Sequence, residues 1–376
     1  MKKNKQSKKI VFVGMSGGVD SSVAAMLLKK KGYNVVGVFI RSWSDKNLVD
    51  CPWEKDSADA RRVAEILNIP FYVWDFEKEY YKEVVNYLIN TYKKGLTPNP
   101  DVLCNFKIKF GLFLKKAKEF GADFIATGHY VRKIKNNKTG IEKLIQAKDL
   151  SKDQSYFLWQ LNQDQIKNSL FPIGDFLKTE VRAMAAKANL PVFDKKDSQG
   201  ICFLGKVKIF DFLSKFIQEK EGDIKTVDGK IIGKHRGVWF YTIGQRHIGA
   251  SASGIGLNKN FNEPLYVVDK DIKNNILIVA YGQNHPALYK KEIYLEKINF
   301  LNDQYLKALK DKKELKVFAR VRYRQPLFKA CILMLKNKIK LIFDEPQKFV
   351  APGQSAVFYA PDKKFFELLG GGIIKS

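Results

Sequence analysis

The chain has 376 residues, enough for two or three domains with cores of their own, and carries 66 basic against 39 acidic residues, a formal charge of +27. That excess favours a polyanionic partner, although stretches such as Lys29 to Lys31 and Lys115 to Lys118 also read as ordinary solvated helix surface. No run reaches membrane-spanning length and the basic start MKKNKQSKK lacks a signal peptide's apolar stretch, so the expectation is a soluble cytoplasmic protein with no membrane partner; four scattered cysteines without a CxxC pair exclude a zinc ribbon or a secreted disulfide framework.

The first element is a short β-branched run, Ile10 to Val13, that enters Gly14, Met15, Ser16, Gly17 and Gly18 before an apolar helix begins near Asp20. Strand, glycine loop and helix in that order present backbone N–H groups and a positive dipole end to a ligand, and phosphate suits both. Ser16, Ser21 and Ser22 add hydroxyls, while the Lys-Ser/Thr ending of a Walker loop and the GxGxxG spacing of a dinucleotide fold are both missing. A strand over Val35 to Ile40, a helix over Asp56 to Leu67, a strand over Phe71 to Trp74, a helix over Glu77 to Tyr92, a helix over Phe106 to Phe120 and a strand over Phe124 to Thr127 follow. Such alternation predicts an α/β, doubly wound, mostly parallel sheet covered on both faces, with ligands beyond the carboxyl ends of the strands, where Gly14, the Arg41 region and Gly128 fall. His129 reads either as a structural loop histidine or as site lining.

Before the Phe106 helix lies GLTPNPDVLCN, Gly95 to Asn105, a loop stiffened by two prolines. It presents Asp101 and Cys104 three residues apart, on one face if a helix starts near Asp101, and a helix start lowers a thiol's pKa; the alternative is a capped helix with a buried cysteine. From Lys206 the pattern changes to a helix over Ile209 to Ile217 and hairpin pieces, with Asp228 and Gly229 giving a type I′ turn signal. Gly233 to Gly249 interleaves Lys234, His235, Arg236, Trp239, Tyr241, Arg246 and His247, a composition that suits RNA contact or an ordinary β surface. The last section, from Pro286, reads as short strands split by turns at Asp344 to Pro346, Pro352 to Gly353 and Pro361 to Asp362, which predicts an antiparallel barrel or sandwich. Strand alternation would set Arg320, Arg322 and Arg324 on one face, where three guanidinium groups need an opposing anion. Cys331, in the apolar run Ala330 to Leu335, reads as core, and Cys51 has no assigned role.

SGGVDS resembles the pyrophosphate loop of the ATP pyrophosphatases. Together with TPNPDVLCN, ATGHY at Ala126 to Tyr130, KDQSYFL at Lys152 to Leu158, DSQGICFLG at Asp197 to Gly205, TIGQRHIG at Thr242 to Gly249 and VRYRQ at Val321 to Gln325, it is similar to the bacterial tRNA-specific 2-thiouridylases over essentially the whole chain. The resemblance implies an adenine-nucleotide domain over 1–206, a small mixed tRNA-binding domain over 207–285 and a barrel contacting tRNA over 286–376. It implies that Gly14, Met15, Ser16, Gly17, Gly18, Val19, Asp20 and Ser21, with Ile40 and Gly128, bind ATP, and that Asp20 helps hold Mg2+. Cys202 would carry a persulfide, Cys104 would attack it and form a transient disulfide with it, and Asp101 would act as acid or base. Asn99, Pro100 and Asp101 would meet the target uridine, and Lys152, Asp153, Gln154, Arg322 and Tyr323 would touch tRNA. The implied substrates are tRNAs for lysine, glutamate and glutamine, with sulfur from a cysteine desulfurase or a relay protein.

Chemistry supports the same set. The C2 oxygen of uridine leaves poorly until it is adenylated, and sulfur then needs a thiol carrier. The two sulfurs must come within disulfide reach, Cα atoms within about 7 Å, and the glycine- and charge-rich segment Asp194 to Gly205 is the expected mobile part. Two other readings remain at this level: an ATP pyrophosphatase with a different acceptor, and an RNA-binding protein that keeps a nucleotide fold.

Overall fold

The computed structural model of the chain describes residues 8–43, 53–137, 139–196, 207–246, 248, 263–336 and 338–375. Its first sheet contains β1 (Ile10–Gly14), β2 (Asn34–Arg41), β3 (Phe71–Asp75), β4 (Phe124–Ala126) and, after the hairpin of β5 (Val131–Lys135) and β6 (Glu142–Gln146), β7 (Ser169–Leu170). The order is β3-β2-β1-β4-β7 and every pairing within it is parallel. Both faces of β1 are covered, Val11 and Val13 on one side and Phe12 on the other, which is why its sequence is a continuous apolar run. Helix α1 (Val19–Lys30) follows β1, and α2 (Trp53–Ile66) lies between β2 and β3. The chain winds outward on one side of β1 through β2 and on the other through β4, so the crevice at the end of β1 is the switch point where such sheets take ligands.

A second, four-stranded sheet is built from β8 (Gly222–Thr226), β9 (Ile231–His235), β10 (Leu265–Asp271) and β11 (Ile276–Tyr281), in the order β10-β11-β8-β9, with β11 and β8 parallel. The turn between β8 and β9 departs from the type I′ expectation. Gly229 has φ +89° but Asp228 has no positive φ, and the Gly229 N–H bonds to Thr226 O at 2.9 Å, the pattern of a type I turn closed by a left-handed glycine. The basic-aromatic stretch also turns inward: His235 and Tyr241 are buried, His235 is bonded to Asn275 O at 3.2 Å, Lys234 pairs with Asp223 at 3.1 Å and Arg236 pairs with Glu219. Only His235 and Tyr241 are interior, however: the Lys234 and Arg236 side chains stay 41% exposed and Arg246 is exposed, so the basic groups remain at the surface; His247 lies outside the described residues.

The C-terminal strands are β12 (Tyr289–Phe300), β13 (Glu314–Arg320), β14 (Phe328–Met334), β15 (Ile339–Lys348), β16 (Ser355–Asp362) and β17 (Phe365–Ile374). They run β12-β15-β14-β13-β16-β17 and close through β12–β17, an antiparallel barrel. The β5–β6 hairpin of the first unit joins this sheet through Leu144 opposite Leu368 and Ile145 opposite Glu367, so the nucleotide-type fold and the barrel share a ladder. Two expectations fail here. Asp344 to Pro346 is no turn: β15 runs through it, and between Ile342 (opposite Glu292) and Gln347 (opposite Lys290) the register slips, a bulge that spares Pro346 from the ladder. Cys331 is only half-buried, because β14 alternates and points Ala330 and Ile332 inward.

Candidate active site

The glycine loop leaves β1 at Gly14 and is tied to β2 by the Met15 N–H to Val38 O bond of 2.8 Å. Ser16 is exposed, its N–H bonds to Ser21 Oγ at 3.1 Å, and Ser22 Oγ donates to Gly18 O at 2.8 Å. Two of the three serines thus brace the loop against the first turn of α1. Gly17 has φ +71°, and a Cβ there would lie 2.2 Å from Asp56 O, so α2 packs directly behind the loop and only glycine fits. No side chain caps α1, which leaves its first-turn N–H groups for an anion. Gly128 closes the other wall, where a Cβ would sit 2.6 Å from Ser21 N. Ile40 is the last residue but one of β2, on the same edge of the sheet.

Sequence reasoning missed the cations of this loop. Lys178, at the start of the helix Lys178–Lys187, places Nζ 2.8 Å from both carboxylate oxygens of Asp20, and the Tyr130 hydroxyl donates to Asp20 Oδ1 at 2.9 Å. Lys195 Nζ bonds to Gly17 O at 2.9 Å and to Asp56 Oδ1 and Asp59 Oδ2 at 2.7 Å each. In a chain with 66 basic residues nothing in the sequence marks these two lysines. Asp20 thus accepts two bonds on Oδ1 and one on Oδ2 and keeps 31% of its side chain exposed; no group of three His, Cys, Asp or Glu gathers among the described residues.

The cysteine loop is shut. Asn99 caps the helix spanning 100–119, accepting from the Val102 N–H at 3.4 Å, with Pro100 at the first position. From Cys104 to Leu112 that helix widens to π geometry. Asp101 and Cys104 do share a face, but Cys104 is 4% exposed, and burial pushes its thiol pKa up, with Asp101 adding to the rise and Lys109 opposing it. The expectation of a dipole-lowered thiol is thus overturned, because desolvation outweighs the helix start. Phe110 of the same helix packs on His129 at 5.7 Å between ring centres, and burial, with Lys109 adding to it, lowers the His129 pKa well below its ordinary value, so the Cys104 helix and the Gly128–His129 wall are neighbours. Asn99 and Pro100 are buried as well. The barrel clamps the loop that precedes them: the Thr97 N–H bonds to Pro352 O at 2.9 Å, and Gln354 Nε2 donates to Pro98 O at 2.8 Å. Cys202 and Cys51 lie outside the described residues, as does most of the segment Asp194 to Gly205.

Three family models match the chain in turn: a tRNA methyl transferase HUP domain over residues 9–206, a tRNA methyl transferase PRC-barrel domain over 210–281 and an aminomethyltransferase beta-barrel domain over 290–374. The tRNA-specific 2-thiouridylase MnmA of Christiangramia forsetii is 42% identical across 97% of this chain and 100% of its own length. MnmA 1 of Geobacillus kaustophilus is 46% identical across 94% and 93%, and MnmA of Streptococcus thermophilus is 44% identical across 98% and 95%. The chain belongs to the tRNA-specific 2-thiouridylase family.

In this thiouridylase-family chain the KDQ stretch and the Arg322 turn are brought together, though not as a row of exposed groups. Asp153 is 3% exposed and accepts from Arg320 Nη2 at 2.8 Å and Ser155 Oγ at 2.8 Å; Arg320 in turn meets the Tyr359 hydroxyl at 2.6 Å. Arg320 and Asp153 are therefore a buried strut between the first unit and the barrel, which turns the Asp153 carboxylate inward and corrects the three-arginine face. The strand ends at Arg320; Arg322, Tyr323 and Arg324 lie in the turn beyond it, with Arg324 at φ +64°. Tyr323 packs on Phe157 at 4.4 Å between ring centroids, and Arg322 stands over Phe349 at 5.5 Å. Gln154 bonds to Tyr130 through both backbone and side chain at 2.9 Å, so Arg320, Asp153, Gln154, Tyr130 and Asp20 form one continuous polar chain from the barrel to the glycine loop. No helix among the described residues is long and apolar enough to cross a membrane.

Proposed function

We propose that this chain is an ATP-dependent tRNA-uridine 2-sulfurtransferase that replaces the C2 oxygen of the wobble uridine in tRNAs for lysine, glutamate and glutamine. The observation that carries the reading is the contact of the Cys104 helix with the glycine loop and its wall, Phe110 packing on His129 at 5.7 Å between ring centres and Phe113 lying 3.6 Å from where a Cβ on Gly14 would be, in a chain whose relatives are thiouridylases along their whole length. Gly14 to Ser21, Ile40 and Gly128 hold ATP, and Asp20 would help hold the Mg2+ that would offset charge on the phosphates. Residues 1–206 carry the adenylation chemistry, and 207–285 and 286–376 hold tRNA, with Lys152, Gln154, Arg322 and Tyr323 nearest to it. The protein works in the cytoplasm, with a cysteine desulfurase or a relay protein as persulfide donor.

Uridine O2 attacks the α-phosphate and pyrophosphate leaves; the adenylated C2 then accepts sulfur and releases AMP. Cys202 brings a persulfide. The Cys104 thiolate attacks its inner sulfur, forming the Cys104–Cys202 disulfide and expelling hydrosulfide towards C2; in the other order the terminal sulfur attacks C2 first and Cys104 resolves the adduct. An external thiol reduces the disulfide before the next turnover. Asp101, one helical turn from Cys104, exchanges the thiol proton. Because Cys104 is buried and protonated at neutral pH, tRNA binding must open the Asn99–Cys104 segment before it reacts.

Purified chain with unmodified tRNA, ATP, Mg2+ and a persulfide source should yield 2-thiouridine and AMP in nucleoside mass spectrometry. AMP release without thiolated nucleoside would assign the loop to a different acceptor and overturn the reading.

A further inference from the structure

The π run from Cys104 to Leu112 gives way to α winding at Phe113, whose N–H reaches Ile108 O, five residues back. Closure five residues back turns a helix less per residue than closure four back, so the run sets the angle between its two ends. One end is fixed to the nucleotide side: Phe110 packs on His129 at 5.7 Å between ring centres, and Phe113 lies 3.6 Å from where a Cβ on Gly14 would be. The other end carries Asp101 and Cys104.

A distant side chain is fitted to this run. Gln165, in the short helix Gln163–Lys167, is 8% exposed, and its Nε2 donates to Phe106 O at 3.1 Å and to Phe110 O at 3.0 Å. Its Oε1 accepts from the Asn162 N–H at 3.1 Å, and its own N–H donates to Asn162 Oδ1 at 2.9 Å. Two carbonyls on one side of the amide and an N–H on the other fix its orientation. Asn105, within the run, donates to Phe157 O at 3.3 Å, so the segment 155–165 brackets the run at two points. Inside the helix a Cβ at Gly111 would lie 2.9 Å from Phe106 O, one of the two carbonyls that Gln165 holds. Winding of this kind is rare and concentrates at functional sites.

We infer that Gln165 is a positioning residue for Cys104: by bridging Phe106 O and Phe110 O it holds the π winding, and with it the direction in which the Asp101–Cys104 face stands to the glycine-loop wall. The inference rests on the reading of Cys104 as the thiol that handles sulfur. Without the two bonds the run relaxes towards α winding; Phe110 and Phe113 stay anchored, and the Asp101–Cys104 end turns out of register with them.

Iodoacetamide labelling of the full chain across pH, read by peptide mapping with the barrel's Cys331 as internal control, tests this. Gln165→Met, close in size and without donors, should label at Cys104 at least about tenfold faster than wild type at pH 7, with its rate–pH curve moved to lower pH. The Cys331 rate and ATP affinity should stay unchanged, while single-turnover 2-thiouridine formation should fall at least about tenfold. Gly111→Ala, which crowds Phe106 O from within the helix, should move Cys104 in the same direction, and it carries the test if Gln165→Met does not fold. Wild-type labelling and thiolation in a folded variant, or equal acceleration at Cys104 and Cys331, would overturn the inference. Full persulfide-dependent thiolation by Cys104→Ser would instead remove the reading of Cys104 and leave the labelling result at Gln165 standing.

Discussion

The glycine loop and the cysteine loop neighbour one another and are in opposite states. The first is open and braced: Ser16 faces solvent, Ser21 and Ser22 hold the turn, and α2 backs Gly17. The second is closed: Cys104, Asn99 and Pro100 are buried, the thiol is driven towards its protonated form, and the barrel turn 351–354 holds the preceding residues in place. In the reaction we propose, the nucleotide half is therefore preformed and the sulfur half waits for a partner that opens it. On that proposal the order protects the Cys104 thiol until the uridine is in place.

The sharpest break between the two halves is Cys104→Ser. It should lower persulfide-dependent 2-thiouridine formation by about a thousandfold or more with ATP affinity unchanged, measured by nucleoside mass spectrometry and calorimetry. Loss of ATP binding in that variant would mean that the two loops are one site. On the barrel side, Arg320→Met strands the Asp153 carboxylate in the interior and should cost about 3–5 kcal/mol of stability in chemical denaturation. Adding Asp153→Asn should return part of it; a neutral single mutant would refute the strut. Gly17→Ala forces a side chain into φ +71° and against Asp56 O, at a cost of about 1–3 kcal/mol of strain, and should abolish ATP binding while the Cys104 environment is retained.

The closed state of the thiol has a pH signature. A thiol whose folded pKa lies above its unfolded value contributes stability that is complete below about pH 8.5 and is lost as pH rises through the folded pKa. Iodoacetamide should therefore label Cys104 slowly at pH 7 in the free protein, with the rate still climbing beyond pH 9, and labelling should quicken when tRNA is added; peptide mapping reads both. Rapid labelling at neutral pH without tRNA would contradict the closed loop. The smallest effect is Arg322→Ala, which should weaken tRNA binding modestly and reduce the salt slope by about 1, and an unchanged slope would take Arg322 off the phosphate backbone.

Legibility followed range. The glycine loop could be read because strand, turn and helix start are consecutive, and the parallel sheet because β1 and β2 are buried on both faces and so carry unbroken apolar runs. The Asp101–Cys104 face was legible because helical spacing is local. The same motif misled about the thiol: the dipole argument is local, whereas burial is set by the packing of helix and barrel around it. In the interleaved Lys234 to Tyr241 the sequence does not say which rings face inward: His235 and Tyr241 are buried, His235 on the distant Asn275, while Lys234 and Arg236 stay at the surface.

By itself, then, the sequence determined the glycine loop between strand and helix, the cysteine at a helix start, the βα alternation and the β-rich C-terminal section, all of which depend on neighbours within a few turns. Tertiary structure alone decided the pairs that close over long separations. Lys178 on Asp20, Lys195 on Asp56 and Asp59, Arg320 on Asp153 and the barrel turn on Thr97 each join residues from distant segments, which come within hydrogen-bond reach only when the chain is folded; for the fully buried Arg320 and Asp153, the close pairing offsets the cost of taking both charges out of water.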